Sequence, residues 1–75
     1  MTGAKLPVIS GQQLITALGR AGWEVVRQRG SHVRLKHPDH ATAVTVPLHK
    51  ELKRGTLRGI IGDAGIDTER LRKLL

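Results

Sequence analysis

Residues 23–36, Trp23-Glu24-Val25-Val26-Arg27-Gln28-Arg29-Gly30-Ser31-His32-Val33-Arg34-Leu35-Lys36, decide the fold of this 75-residue chain. Trp23 to Gln28 is rich in strand formers, and Gly30-Ser31 reads as a turn or a bulge. His32 to Lys36 then alternates strictly, with Val33 and Leu35 on one face and His32, Arg34 and Lys36 on the other. The neighbouring Val25 and Val26 break the alternation, so the facing of the first strand stays open. The stretch is a strand pair with one apolar face and one cationic face.

Upstream, residues 1–9 read as an extended lead-in directed by Pro7. Ser10 and Gln13 match a capping box, in which each side chain satisfies the other residue's free backbone N–H. Leu14, Ile15, Leu18 and Ala21 recur at helical spacing, and Gly22 stands where a left-handed helix end belongs.

Downstream, His37-Pro38-Asp39-His40 reads as a tight turn and Thr42–Val46 as a third strand ended by Pro47. Residues 48–52 form a loop. A second helix from Lys53 to Ala64 buries Leu57, Ile60, Ile61 and Ala64, although Gly55, Gly59 and Gly62 weaken it. Gly65 ends it, and Asp67 caps a short last helix carrying Leu71, Leu74 and Leu75. The order is α-β-β-β-α with a further helical turn, expected as a single domain over residues 1–75. Its class is α+β, a three-stranded antiparallel sheet with helices on one face, the layout of a double-stranded RNA-binding domain.

Composition narrows the function. A chain of this size has no room for a deep substrate cavity, so a site belongs on the surface. Thirteen Lys and Arg residues against six acidic ones give a net charge of +7, which points to phosphate-bearing partners. Arg27, Arg29, Arg34 and Lys36 form one cluster, and Lys50, Lys53, Arg54 and Arg58 another. Trp23 is the only aromatic residue, which argues against base-stacking platforms and for binding through charge and shape. No basic helix carries a bulky aromatic face, so no membrane partner is expected. Absence of cysteine removes disulfides, thiolate metal sites and cysteine nucleophiles. With no signal-like or spanning stretch, a cytoplasmic location is expected.

His32 is the candidate catalytic residue. Imidazole exchanges protons near neutral pH, and an exposed strand histidine among cations can reach an RNA 2′-hydroxyl as a general base. Arg34 and Lys36 would hold phosphate and stabilise its developing charge, with Arg29 and Ser31 as further RNA contacts and Gly30 as the turn residue. Ser31 is a poor nucleophile here, because adjacent strand residues point to opposite faces. Lys53 and Arg54, at the start of the second helix, are further phosphate contacts. His49, just past the third strand, is a possible second proton-transfer group. His32, His37, His40 and His49 match no zinc ligand spacing, so neither metal nor other cofactor is expected. Turn histidines are expected to be solvated.

These residues in this order resemble the HicA toxins, an mRNA interferase family. The resemblance runs from Lys5-Leu6-Pro7 through Ala21-Gly22-Trp23-Glu24-Val25-Val26-Arg27-Gln28-Arg29-Gly30-Ser31-His32. It continues through Val46-Pro47-Leu48-His49, Lys53-Arg54-Gly55-Thr56-Leu57-Arg58-Gly59-Ile60-Ile61 and Ala64-Gly65-Ile66, so it spans nearly the whole chain. It implies a double-stranded RNA-binding-like fold and ribosome-independent cleavage of mRNA by one catalytic histidine, which maps to His32. A partner is implied as well, a HicB-type antitoxin that covers the active face. Arg34-Leu35 stands where many relatives place an aromatic, which bears on substrate preference. Two other readings fit the residues alone. One is a non-catalytic RNA-binding module of the same fold, and the other is an interaction domain for an acidic protein.

Overall fold

The centre of the computed structural model, which describes residues 5–75, is an antiparallel sheet in the order β1-β2-β3. Residues 1–4 of the expected lead-in lie outside the described residues. The elements run α1 (Gly11–Arg20), β1 (Glu24–Arg29), β2 (His32–Lys36), β3 (Val44–Pro47), α2 (Arg54–Asp63) and α3 (Thr68–Leu74). One apolar cluster joins Val33, Leu35, Val44 and Val46 of the sheet to Leu14, Leu18, Leu57, Ile61 and Leu71 of the helices. The helices therefore cover one face of the sheet and leave the other open, as the alternation in β2 requires.

Local chemistry sets the boundaries. The capping box is formed as expected: the Gln13 N–H donates to Ser10 Oγ at 3.0 Å, and the Ser10 N–H donates to Gln13 Oε1 at 2.8 Å. Gly30 has φ 57°, and Ser31 is not in the left-handed region. That combination is a two-residue turn of type II′, whose twist suits a hairpin. A Cβ on Gly30 would meet nothing within 4 Å, so the turn conformation, rather than close approach by another chain, calls for glycine.

β1 resolves the valine doublet. Val25 pairs with Leu35 and Arg27 with Arg34, so Val26 is the extra residue of a β-bulge. Both valines stay half exposed, at 53% and 50%, because β1 is an edge strand. β3 begins at Val44, not Thr42, since Leu35↔Val44 is the last pair with β2 and residues 41–42 bend away from the turn. Pro47 extends the strand by one residue rather than ending it beforehand.

His40 is exposed, as expected of a turn histidine, but His37 is half-buried and hydrogen-bonded. The Asp39 N–H donates to His37 Nδ1 at 3.0 Å, which leaves the ring proton on Nε2, 3.1 Å from the Ala21 carbonyl. His37 thus ties the β2–β3 turn to the end of α1. Its ring centroid lies 5.3 Å from that of Trp23, and that of His40 lies 5.0 Å away. Trp23 itself is 3% exposed and offers no stacking surface.

Three substitutions test this packing. A Cβ on Gly11 would run into the Pro47 carbonyl, so Gly11→Ala should cost roughly 1–3 kcal/mol in a urea melt through overpacking. Gly59 lies inside α2 with open space around it, so Gly59→Ala should stabilise by about 0.5–1 kcal/mol in the same assay. His37→Ala should cost roughly 1–3 kcal/mol, since it removes the partner of two backbone groups.

Candidate active site

Pairing across the sheet places the charged residues. Arg29 lies opposite His32, Arg27 opposite Arg34, and Glu24 opposite Lys36, so these six share the open face. The bulge puts Glu24 rather than Val25 beside Lys36. Arg27, which the strand pattern alone left unplaced, joins the cationic face; counting back from the hairpin turn is the signal that locates it. Among the described residues the only salt bridge is the exposed pair Lys73–Glu69, at 3.9 Å. The cations around His32 therefore make no salt bridge with the described carboxylates, and Glu24, opposite Lys36, is the one acidic residue among the six.

His32 is the first residue of β2, directly after the turn, and is exposed. On its other side it pairs with Pro47 of β3. The flanking bond runs from the Leu48 N–H to the Ser31 carbonyl at 2.7 Å, which makes His32–Pro47 a non-hydrogen-bonded pair. A proline fits there because no N–H is needed, and side chains in such pairs approach more closely. Ser31 is a turn residue whose carbonyl holds the next loop, and its side chain stays exposed.

The loop after β3 is held from both sides. The Gly11 N–H donates to the His49 carbonyl at 2.9 Å, and the Leu52 N–H donates to the Ile9 carbonyl at 2.8 Å. Buried Leu52 and half-buried Leu48 anchor the loop in the core, while His49 is exposed. Lys53 is the N-cap of α2 and makes no side-chain cap bond, and Arg54 opens the helix. Both are exposed. The structure thus brings Arg29, Ser31, His32, Arg34 and Lys36 together at the hairpin and its open face, with His49 beyond the end of β3. Lys53 and Arg54 belong to the next element. Among the described residues no three His, Asp or Glu side chains group as metal ligands.

Comparison with known proteins agrees with this architecture. A family model described as HicA toxin of bacterial toxin-antitoxin matches residues 11–66. A chain in a solved toxin-antitoxin complex from Streptococcus pneumoniae is 30% identical, with a TM-score of 0.68. That match covers 77% of this chain and 98% of the other. No curated protein matches.

Proposed function

This chain belongs to the HicA family, toxins of bacterial toxin–antitoxin systems, and we propose that it acts there as an mRNA endoribonuclease with His32 as the catalytic group. The observation that carries the reading is an exposed imidazole at the edge of a hairpin, beside a cluster of cations that outnumber the single Glu24 on an open sheet face and form no salt bridge. A polyanion is drawn to such a face, and RNA brings its own nucleophile. His32 takes the proton of a ribose 2′-hydroxyl, which attacks the adjacent phosphorus and expels the 5′-oxygen. The products are a 2′,3′-cyclic phosphate and a free 5′-hydroxyl.

Arg29, Arg34 and Lys36 hold the phosphate and stabilise charge on its oxygens in the transition state. Guanidinium groups suit this task, because their fork matches two phosphate oxygens at once. The Ser31 hydroxyl, exposed on the turn beside His32, adds a neutral donor. Lys53 and Arg54 extend the cationic track toward α2 and contact flanking phosphates. The reaction draws on the ribose hydroxyl and on side chains of the protein, so it calls for no metal or organic cofactor.

The same face is the proposed seat of a HicB-type antitoxin. An acidic protein surface would neutralise the cations and bar RNA from His32 in one step. The site lies on an open face rather than in a cleft, so covering it needs no conformational change in the toxin.

Two results are expected. Induced wild-type protein arrests growth and fragments mRNA, whereas folded His32→Ala does neither and loses about 10²–10⁴-fold in cleavage rate on purified RNA. Undiminished cleavage by His32→Ala would overturn the assignment. In binding assays, Arg34→Ala should weaken RNA binding and reduce the slope of log K against log salt by about 0.7–1, the signature of one lost phosphate contact.

A further inference from the structure

We propose that His49 is the general acid of the reaction, donating the proton that the departing 5′-oxygen requires. The inference rests on the ribonuclease reading of His32 and adds the second half of the proton balance. Strand parity carries it. Val44 and Val46 are buried and Leu48 is half-buried against the core, while Thr45 is exposed on the open face; Pro47 is itself buried, but its register opposite His32 keeps it in the Thr45 set. His49 is the next residue of that second set.

The backbone bond from Leu48 to Ser31 shows that pairing persists one residue past β3. His49 therefore stands diagonally from His32, the relation in which residues lie about 7–8 Å apart across a sheet and long or aromatic side chains still meet. A phosphate fits between two imidazoles at that separation, with its 2′-oxygen toward one and its 5′-oxygen toward the other.

The way the residue is held supports the same role. Its carbonyl is fixed by Gly11, its neighbours Leu48 and Leu52 are fixed by Ser31 and Ile9, and Gly11 must lack a Cβ for the Pro47–Leu48 backbone to come so near. The imidazole of His49, in contrast, is exposed and makes no hydrogen bond among the described residues. A rigid backbone with a free polar side chain is what a proton donor to a docked substrate needs. The other two imidazoles are excluded by position. His37 and His40 pack on Trp23 beyond the opposite end of β2, and both ring nitrogens of His37 are engaged.

The step balances without a co-reactant. His32 removes the 2′-hydroxyl proton, the 2′-oxygen forms a bond to phosphorus, and the bond from phosphorus to the 5′-oxygen breaks. The imidazolium of His49 gives its proton to that oxygen. His32 ends protonated and His49 neutral, and exchange with water resets the pair.

A leaving group that needs no proton separates an acid from a structural residue. An RNA oligonucleotide cut by the wild type would be compared with its counterpart carrying a bridging 5′-sulfur at the scissile bond. His49→Ala and His49→Gln should slow the oxygen substrate about 10²–10⁴-fold yet cut the sulfur substrate within several-fold of wild type. His32→Ala should fail on both. Equal slowing of both substrates by the His49 variants, or no slowing at all, would overturn the acid role and leave the base role of His32 intact. Wild-type activity that survives His32→Ala would instead bring down the ribonuclease reading, and the acid assignment with it.

Discussion

The close approach of Gly11 to the Pro47–Leu48 backbone is the constraint on which the rest of the molecule turns. No other residue fits there, because any Cβ would enter the space of the Pro47 carbonyl. That contact seats the start of α1 against the end of β3 and lets the Gly11 N–H reach the His49 carbonyl. One of the free N–H groups at the start of the helix is satisfied by the loop that leaves the sheet. The hairpin turn is drawn into the same junction through the Ser31 carbonyl. Backbone bonding, not side-chain contact, thus fixes where His32 and His49 stand. Their imidazoles remain free for chemistry.

Much of this was legible in the chain itself. Ser10 with Gln13 announced α1, and the strict alternation from His32 to Lys36 announced both the buried and the cationic face, because each signal is local and repeats. The bulge at Val26 was not legible in the same way. A valine doublet is compatible with several registers, and only pairing with β2 chooses one. Arg27 and Glu24 could be placed only after that choice. The role of His37 was hidden for a related reason. A turn histidine looks solvated until its hydrogen bond to Ala21, sixteen residues back, and its packing on Trp23 are known.

The two ends of β2 divide the labour among histidines. At its start, His32 has an exposed ring and a neighbouring loop that carries His49. At its far end, His37 is consumed in cross-linking the turn to α1, with Trp23 packed against it. Identical side chains a few residues apart thus serve stability at one end and, on the proposed reading, catalysis at the other. The difference lies in what surrounds each nitrogen. Two backbone partners and an aromatic ring immobilise His37, whereas His32 meets solvent and cations.

Those cations carry a stability cost that helps explain the biology of a toxin. Arg27 lies directly opposite Arg34, a like-charge pair that strains the sheet by roughly 0.2–1 kcal/mol, and only Glu24 on that face offsets the charge. A sheet selected for stability alone would alternate signs across the strands. Here the repulsion is left in place, and on the proposed reading RNA and an acidic protein surface would both gain from relieving it. On that reading the two ligands compete for one face without any coupled motion. A toxin that works in the proposed way would be silenced by occupancy of its face alone, and the concentration of the covering partner would set how much of it is free to act.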